Sequence, residues 1–144
     1  MVQTIAVGTD GSDTAKKAVD FAMDMAERYQ ARLVIASAYS PVSEDRLRKE
    51  QKEAPQEIQW SINPSEDVDS TLRAAEEEAK ERGLKYASDA RNGDPADVLV
   101  AIAADHDADV IVVGNKGMER RILGSVPNSV SHKAPCSVLI VKTA

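Results

Sequence analysis

Four short apolar runs limit how this chain can fold more than any other feature of its sequence. They are rich in Val, Ile and Ala, and they occupy Thr4–Val7, Leu33–Ala36, Val110–Val113 and Val138–Val141. Each run is nearly continuous, whereas a strand with one solvent-exposed face would alternate between apolar and polar residues. Continuity indicates burial on both faces, which is typical of parallel strands. Only 3% of the 144 residues are aromatic, so the predicted core is aliphatic.

Segments with helical spacing separate these runs. Residues 12–29 carry apolar side chains at steps of three and four, and Ser12 is a suitable N-cap. Further helices are predicted over residues 65–82, from Asp94-Pro95 onward, and from about Ser125 to just before Pro135. A weaker, polar strand over about residues 85–90 is predicted near a sheet edge. The alternation predicts an α/β domain over residues 1–144, with a parallel sheet and helices on both faces.

The stretch from Ser40 to Pro64 interrupts this alternation. It is highly charged and contains prolines at positions 41, 55 and 64. Because long loops without secondary structure are uncommon in compact domains, we expect a short helix over about residues 44–52.

Composition and charge argue against several classes of protein. The longest apolar run, Val98–Ala104, is far shorter than the ~20 residues of a membrane span. A net charge of −6 argues against nucleic acid as the main partner, since duplex binding draws on clustered Lys and Arg. The first residues show no export signal, and one cysteine forms no intrachain disulfide. We therefore expect a cytoplasmic protein without a membrane or nucleic-acid partner.

Three glycine-marked junctions follow predicted strands or open a predicted helix. They are Gly8–Ser12, Gly114–Gly117 and Gly124–Val126. Any one of them alone is best explained as an ordinary turn. Together they fit the crevice at the carboxyl ends of parallel strands, where open α/β sheets bind ligands, and a helix N-terminus there favours phosphate.

The charged residues near these junctions leave alternatives open. Lys116, Arg120 and Arg121 outnumber Glu119 in an otherwise acidic chain, which suits a phosphate site or a solvated loop. Asp10 could accept ribose hydroxyls or help to hold Mg²⁺, and helix-start capping is an equal alternative. The dinucleotide, P-loop, nucleophile-elbow and zinc-ligand motifs are all missing from the sequence, so no catalytic residue is predicted.

The sequence resembles the universal stress protein family over almost its whole length. The resemblance is carried by Thr4–Ser12, Asp109–Gly117, Gly124–Pro127 and Pro135–Lys142. It implies a five-stranded parallel sheet in the order 3-2-1-4-5, of the adenine nucleotide alpha hydrolase-like type. It also implies a homodimer and, in members that carry the motif, ATP binding.

Carried over residue by residue, the resemblance implies a nucleotide site. Thr9 and Asp10 would meet the nucleotide, and Ala38 would lie against adenine. The full predicted set is Thr9, Asp10, Gly11, Ser12, Ala38, Gly114, Asn115, Lys116, Gly117, Arg120, Arg121, Gly124, Ser125, Val126 and Pro127. Six residues separate Gly117 from Gly124 where the family has nine. A smaller phosphate cradle would also suit AMP, ADP or cyclic AMP, with Mg²⁺ at Asp10 a possible companion.

The last strand predicts how two copies would associate. Ser137–Val141 is apolar, and the implied order places it at a sheet edge, which invites antiparallel pairing with a second copy. The leading hypothesis is a nucleotide-dependent stress-response sensor or regulator with an unidentified protein partner, not a dedicated enzyme. The alternatives are a slow ATPase or phosphotransferase using Asp10, Mg²⁺ and Arg120 or Arg121, and a nucleotide-free dimeric interaction module.

Overall fold

The computed structural model describes residues 1–39, 65–115 and 125–142. In these ranges strands and helices alternate along the chain. In order they are β1 (Thr4–Gly8), α1 (Asp13–Tyr29), β2 (Arg32–Tyr39), α2 (Ser65–Glu81), β3 (Tyr86–Asn92), α3 (Pro95–Asp105), β4 (Val110–Asn115), α4 (Ser125–Lys133) and β5 (Ser137–Lys142). The helix predicted over about residues 44–52 lies outside the described residues.

The strands form one sheet in the order β3-β2-β1-β4-β5, and every neighbouring pair is parallel. This confirms the predicted α/β class and the strand order. The chain first adds strands to one side of β1 and then, through α3, crosses to β4 on the other side. The strand order therefore reverses between β1 and β4, with consequences for where a ligand can bind.

The core lies on both faces of the sheet. One cluster packs β1 and β2 against α1 and α2, and the other packs the opposite face against α3 and α4. Ile5 and Ala6 are neighbours on β1 with no exposed surface, yet they belong to different clusters. Burial on both faces explains why the central strands read as continuous apolar runs. The buried apolar side chains of the described core are aliphatic, while Phe21 remains 44% exposed.

Local capping rules account for several helix ends. The Ser12 hydroxyl accepts a hydrogen bond from the backbone N–H of Ala15 at 3.2 Å, as the N-cap prediction required. Asp94 caps α3 by accepting from the backbone N–H of Asp97 at 3.1 Å, and proline occupies the first helical position. Gly83 follows α2 with a positive φ of 72°, the conformation that ends many helices.

All five strands differ in their bounds from the predicted runs, most of all at the end of β2. β2 continues three residues beyond the predicted Ala36, and β3 ends at Asn92 instead of about Ala90. The cause is mutual pairing, because Ser37, Ala38 and Tyr39 pair with Ala90, Arg91 and Asn92. Backbone pairing extends a strand past its apolar run, and sequence periodicity does not report it.

None of the helices in the described ranges has the length and apolar content that a bilayer span requires.

Candidate functional site

A cleft opens at the carboxyl edge of the sheet, where β1 and β4 diverge. The cleft is open to solvent. The ends of β1, β2 and β4 form its floor, and the first turns of α1, α3 and α4 form its walls. The lining residues are Gly8, Thr9, Asp10, Ala15, Ala36, Ser37, Ala38, Pro95, Val98, Leu99, Val113, Gly114 and Val126.

The turn after β1 gives the cleft its polar side. The Thr9 hydroxyl accepts a hydrogen bond from the backbone N–H of Gly11 at 3.2 Å, and Asp10 Oδ1 accepts one from that of Ser12 at 2.9 Å. The backbone N–H of Thr9 donates to the carbonyl of Ala36 at 2.9 Å, which ties the turn to β2. These bonds fix Asp10 in position, because both its backbone and its side chain belong to a closed local turn.

Three helices point their N-termini toward the cleft. Ala15, Pro95 and Val126 line it from the first turns of α1, α3 and α4. A helix N-terminus carries a partial positive charge and leaves backbone N–H groups without intrahelical acceptors. The rim of the cleft therefore favours an anionic group, although its lining contains the carboxylate of Asp10.

The rest of the lining is apolar and mostly small. Ala36 and Ala38 on β2 face Val98 and Leu99 of α3. Gly8 keeps this packing close, since a Cβ atom at that position would lie 3.1 Å from Leu99 Cδ2. Small side chains on the strands and branched ones on the helix leave a slot that suits a flat apolar group.

The structure brings five of the predicted site residues together. Thr9, Asp10, Ala38, Gly114 and Val126 all line the cleft. They come from three strand ends and one helix start, which is where the carboxyl-edge rule places ligand contacts.

Five other predicted residues do not line the cleft. Gly11 faces a separate groove between α1 and α2, and Ser12 serves as the cap of α1. Asn115 is fully buried, Pro127 is buried in the first turn of α4, and Ser125 is exposed where α4 begins. Lys116, Gly117, Arg120, Arg121 and Gly124 lie outside the described residues.

Sequence reasoning missed the α3 side of the cleft, Ala15 on α1, Ala36 and Ser37 on β2, and Val113 on β4. Pro95, Val98 and Leu99 belong to a helix whose start was predicted but was not linked to the site. Ser37 was missed although a hydroxyl inside an apolar strand is a detectable signal.

The lining of the cleft carries groups that can bind a ligand. It offers one carboxylate, two hydroxyls, an apolar slot and three helix N-termini. No group of three or more His, Cys, Asp or Glu residues that could hold a metal ion occurs in the part of the chain that the structure describes. A ligand that combines an anion, hydroxyl donors and a flat ring would match each part.

Comparison with known proteins identifies the family. The model of the universal stress protein family matches residues 1–142. Universal stress protein Rv1636 of Mycobacterium tuberculosis is 39% identical over 145 residues, covering 98% of this chain and 97% of the relative. A universal stress protein of Thermus aquaticus is 32% identical over 145 residues, covering 99% and 100% of the two chains.

A solved structure agrees with this assignment. A crystal structure of a universal stress protein in complex with cAMP superposes with a TM-score of 0.74 at 36% identity. The match covers 99% of each chain. With five parallel strands in the order 3-2-1-4-5 and a family match along nearly its full length, this chain belongs to the universal stress protein family.

Proposed function

We propose that residues 1–144, as a single cytosolic domain, bind an adenine nucleotide in the cleft, with ATP the first candidate. Bound nucleotide then favours the conformation of the protein that an unidentified partner protein recognises in a stress response. The role is that of a sensor or regulator, and catalysis is not part of the proposal.

One observation carries this proposal. The cleft lies at the reversal of strand order between β1 and β4, and Thr9, Asp10, Ala38, Gly114 and Val126 converge on it from separate elements. Ligands of open α/β sheets bind in this crevice, and helix N-termini there favour phosphate. The solved relative in complex with cAMP, at 36% identity, supports an adenine nucleotide as the class of ligand.

The lining suggests an orientation for the nucleotide. The phosphates lie by the N-terminus of α4, where Val126 lines the cleft, and the ribose hydroxyls donate to the Asp10 carboxylate. The base occupies the apolar slot beside Ala38. From the sequence, we assign Gly117, Gly124 and the cations Lys116, Arg120 and Arg121 to the phosphate end. Any Mg²⁺ would be held by the phosphates of ATP and not by a cluster of protein ligands.

Calorimetric titration tests the proposal directly. ATP with and without Mg²⁺, ADP, AMP and cyclic AMP are each titrated into the protein. Binding of at least one, with a matching rise in melting temperature, is the expected result. No heat and no melting shift with any of the four would refute nucleotide binding.

Asp10→Asn tests the orientation. Asparagine keeps the side-chain oxygen that accepts from the Ser12 N–H, so the turn survives while the charge is lost. A ribose hydroxyl bonded to a carboxylate predicts a loss of roughly ten- to thirtyfold in affinity. Asp13→Asn makes the same chemical change three residues away, at an exposed position outside the cleft, and should bind nucleotide normally.

We further propose that β5 pairs antiparallel with β5 of a second copy. Within the described residues β5 hydrogen-bonds only β4, so its other edge is open. Val138, Leu139 and Ile140 are only partly buried, so association would remove apolar surface from water. Light scattering should give twice the chain mass at micromolar concentration, and a monomer there would refute the dimer.

A further inference from the structure

The only phenylalanine of this chain lies on its surface. Phe21 is 44% exposed, and Tyr29, further along the same helix, is 48% exposed. Single apolar side chains on a surface are common. Met25, however, lies between these two at four-residue steps, so the three side chains form one apolar ridge along α1. Contiguous exposed apolar area marks an interaction site more often than isolated side chains do.

The ridge lies on the side of α1 that is turned away from α2. Asp24 and Glu27 of α1 mark the α2 side, since both pair with Arg82, the residue that follows α2. At about 100° per residue, Met25 lies roughly 130° around the helix from the middle of these two carboxylates. Because α2 packs over β2 and β3 on this face of the sheet, the ridge is turned toward the side of β4 and β5.

Beside the ridge lies the face of β5 on the α1 side of the sheet. In the described chain α1 packs mainly over β1 and β4, so β5 extends beyond the last helix on this face. Leu139 and Val141 point to this face, and Leu139 is only partly buried. Met25 and Leu139 pack against the same buried cluster. The ridge and Leu139 therefore form one apolar surface that ends at the open edge of β5.

Pairing of β5 alone would give a small interface. The strand has six residues, so its edge is about 20 Å long and, at a depth of about 10 Å, offers on the order of 200 Å². A stable interface buries about 800 Å² on each partner. Most of the surface of a stable dimer must therefore come from the faces that flank β5, and the ridge is apolar and flanks it.

The spacing of strands indicates which part of a second copy the ridge would meet. Antiparallel pairing places β5 and its copy between the two α1 helices, whose axes would lie about 20 Å apart at about 4.8 Å per strand. Helices that pack directly lie about 8–10 Å apart, so the two α1 helices would not touch. A long side chain on the ridge would instead reach across β5 toward the strand of the second copy, where Leu139 of that copy is only partly buried.

We propose that the ridge of Phe21, Met25 and Tyr29 is a second part of the dimer interface and covers Leu139 of the second copy. This inference rests on the pairing of β5 proposed above. The second copy is the occupant because the open edge of β5 brings it to this surface. Two-fold symmetry makes the contact twice, with one ridge and one strand from each copy.

The double variant Phe21→Gln/Tyr29→Gln tests the energetic part of this inference. Glutamine favours helices, so α1 should be retained while both aromatic side chains are removed, and circular dichroism checks this. The dissociation constant of the dimer, measured by sedimentation over a concentration series, should rise roughly ten- to hundredfold. Tyr86→Gln makes the same change at a 36% exposed tyrosine on β3 and should leave the constant unchanged.

Cross-linking tests the contact itself and does not depend on the glutamine variant. The photoreactive residue p-benzoylphenylalanine, placed at position 21, keeps an aromatic side chain on the ridge. Irradiation should give a product of twice the chain mass, in which residue 21 of one copy is joined to a fragment that contains Leu139 of the other. The same group at position 16, an exposed site on the α2 side of α1, should give no such product.

The outcomes separate this inference from the proposed pairing of β5. A wild-type protein that is monomeric at micromolar concentration refutes the pairing, and the inference falls with it. A dimer that forms, but whose dissociation constant is the same in Phe21→Gln/Tyr29→Gln as in the wild type, overturns the inference while the pairing stands. Equal weakening by Tyr86→Gln, or a cross-link from position 21 that never reaches the second copy, also overturns it.

Discussion

The two edge strands of the sheet have opposite chemistry. On β5 the middle residues are Val138, Leu139, Ile140 and Val141, and the strand contains no acidic residue. On β3 the middle residues include Asp89 and Arg91, whose side chains pair with each other. Both strands leave one edge without a strand partner within the described chain. Charged side chains on an edge oppose the addition of another strand, whereas an apolar edge invites it.

The charges on β3 form a connected network. Asp89 accepts from Arg91 at 3.1 Å and 2.9 Å, and its Oδ2 lies 3.1 Å from His106 Nε2. Arg91 also donates to Asp105 at 2.7 Å, and Arg32 Nη2 lies 3.4 Å from His106 Nδ1. The network ties β3 to the end of α3. In the proposed dimer the sheet uses its apolar edge for association, while charged side chains protect the other edge.

The largest predicted effect is the loss of the proposed dimer on charging β5. Leu139→Lys places like charges near the two-fold axis, where two copies of an antiparallel strand meet, and it should weaken association at least 100-fold. Sedimentation or light scattering at micromolar concentration should then show a monomer. Tyr86→Lys changes a large, 36% exposed side chain on β3 and should leave the dimer intact. Dissociation of both variants would contradict the distinction between the edges.

A smaller effect is expected from making β3 resemble β5. The double variant Asp89→Val/Arg91→Val removes the central ion pair and supplies residues that favour strands. Replacing a paired charge by apolar residues is often nearly neutral for stability, so the melting temperature should change little. A fraction of the protein should instead form species larger than a dimer, which light scattering over a concentration series would detect.

The control for the Asp89→Val/Arg91→Val variant removes an ion pair that lies away from both edge strands. Arg82, the residue after α2, pairs with Asp24 of α1 at 2.9 Å, so Asp24→Val/Arg82→Val should not enlarge the assembly. If both double variants gave the same larger species, added apolar surface alone would explain them, and the edge of β3 would have no special role.

Much of the fold follows from local rules that the sequence displays. Continuous apolar runs predict buried parallel strands, and Ser12 and Asp94-Pro95 predict helix starts that the structure confirms. The ends of β2 and β3 were misjudged because they depend on each other: Tyr39 lies beyond the apolar run and Asn92 disfavours a strand, yet the two pair. Pairing is a property of two segments, so no window along the chain contains it.

The candidate site likewise contains residues that the sequence identifies and residues that only the structure reveals. Thr9 and Gly114 follow apolar runs, so the carboxyl-edge rule finds them from sequence. Asn115 immediately follows Gly114 but is fully buried and lines no part of the cleft, because neighbouring strand residues point to opposite faces. Leu99 enters the site through the packing of α3 on β1 and β2, which only the three-dimensional arrangement reveals.

The smallest predicted effect is a loss of stability at the β3 edge as the pH falls. Arg91, and after it His106, lower the pKa of the Asp89 carboxyl below its ordinary value. Because the pKa is lower in the folded state, Asp89 contributes stability above the unfolded value of about 3.9, and that contribution is lost as the pH falls through the folded value. Asp89→Asn should therefore be less stable than wild type by about 1 kcal/mol at pH 6, and the difference should shrink as the pH falls below the unfolded value.

Urea unfolding at a series of pH values measures this difference. Asp105 contacts the same arginine, but its side chain is 63% exposed, so Asp105→Asn should cost less stability at pH 6 than Asp89→Asn. Amide hydrogen exchange locates the effect, since exchange in β3 should accelerate in acid relative to exchange in β5, which has no carboxylate of its own. A stability difference between Asp89→Asn and the wild type that stayed constant from pH 6 to pH 2 would show that the charge of Asp89 does not stabilise this edge.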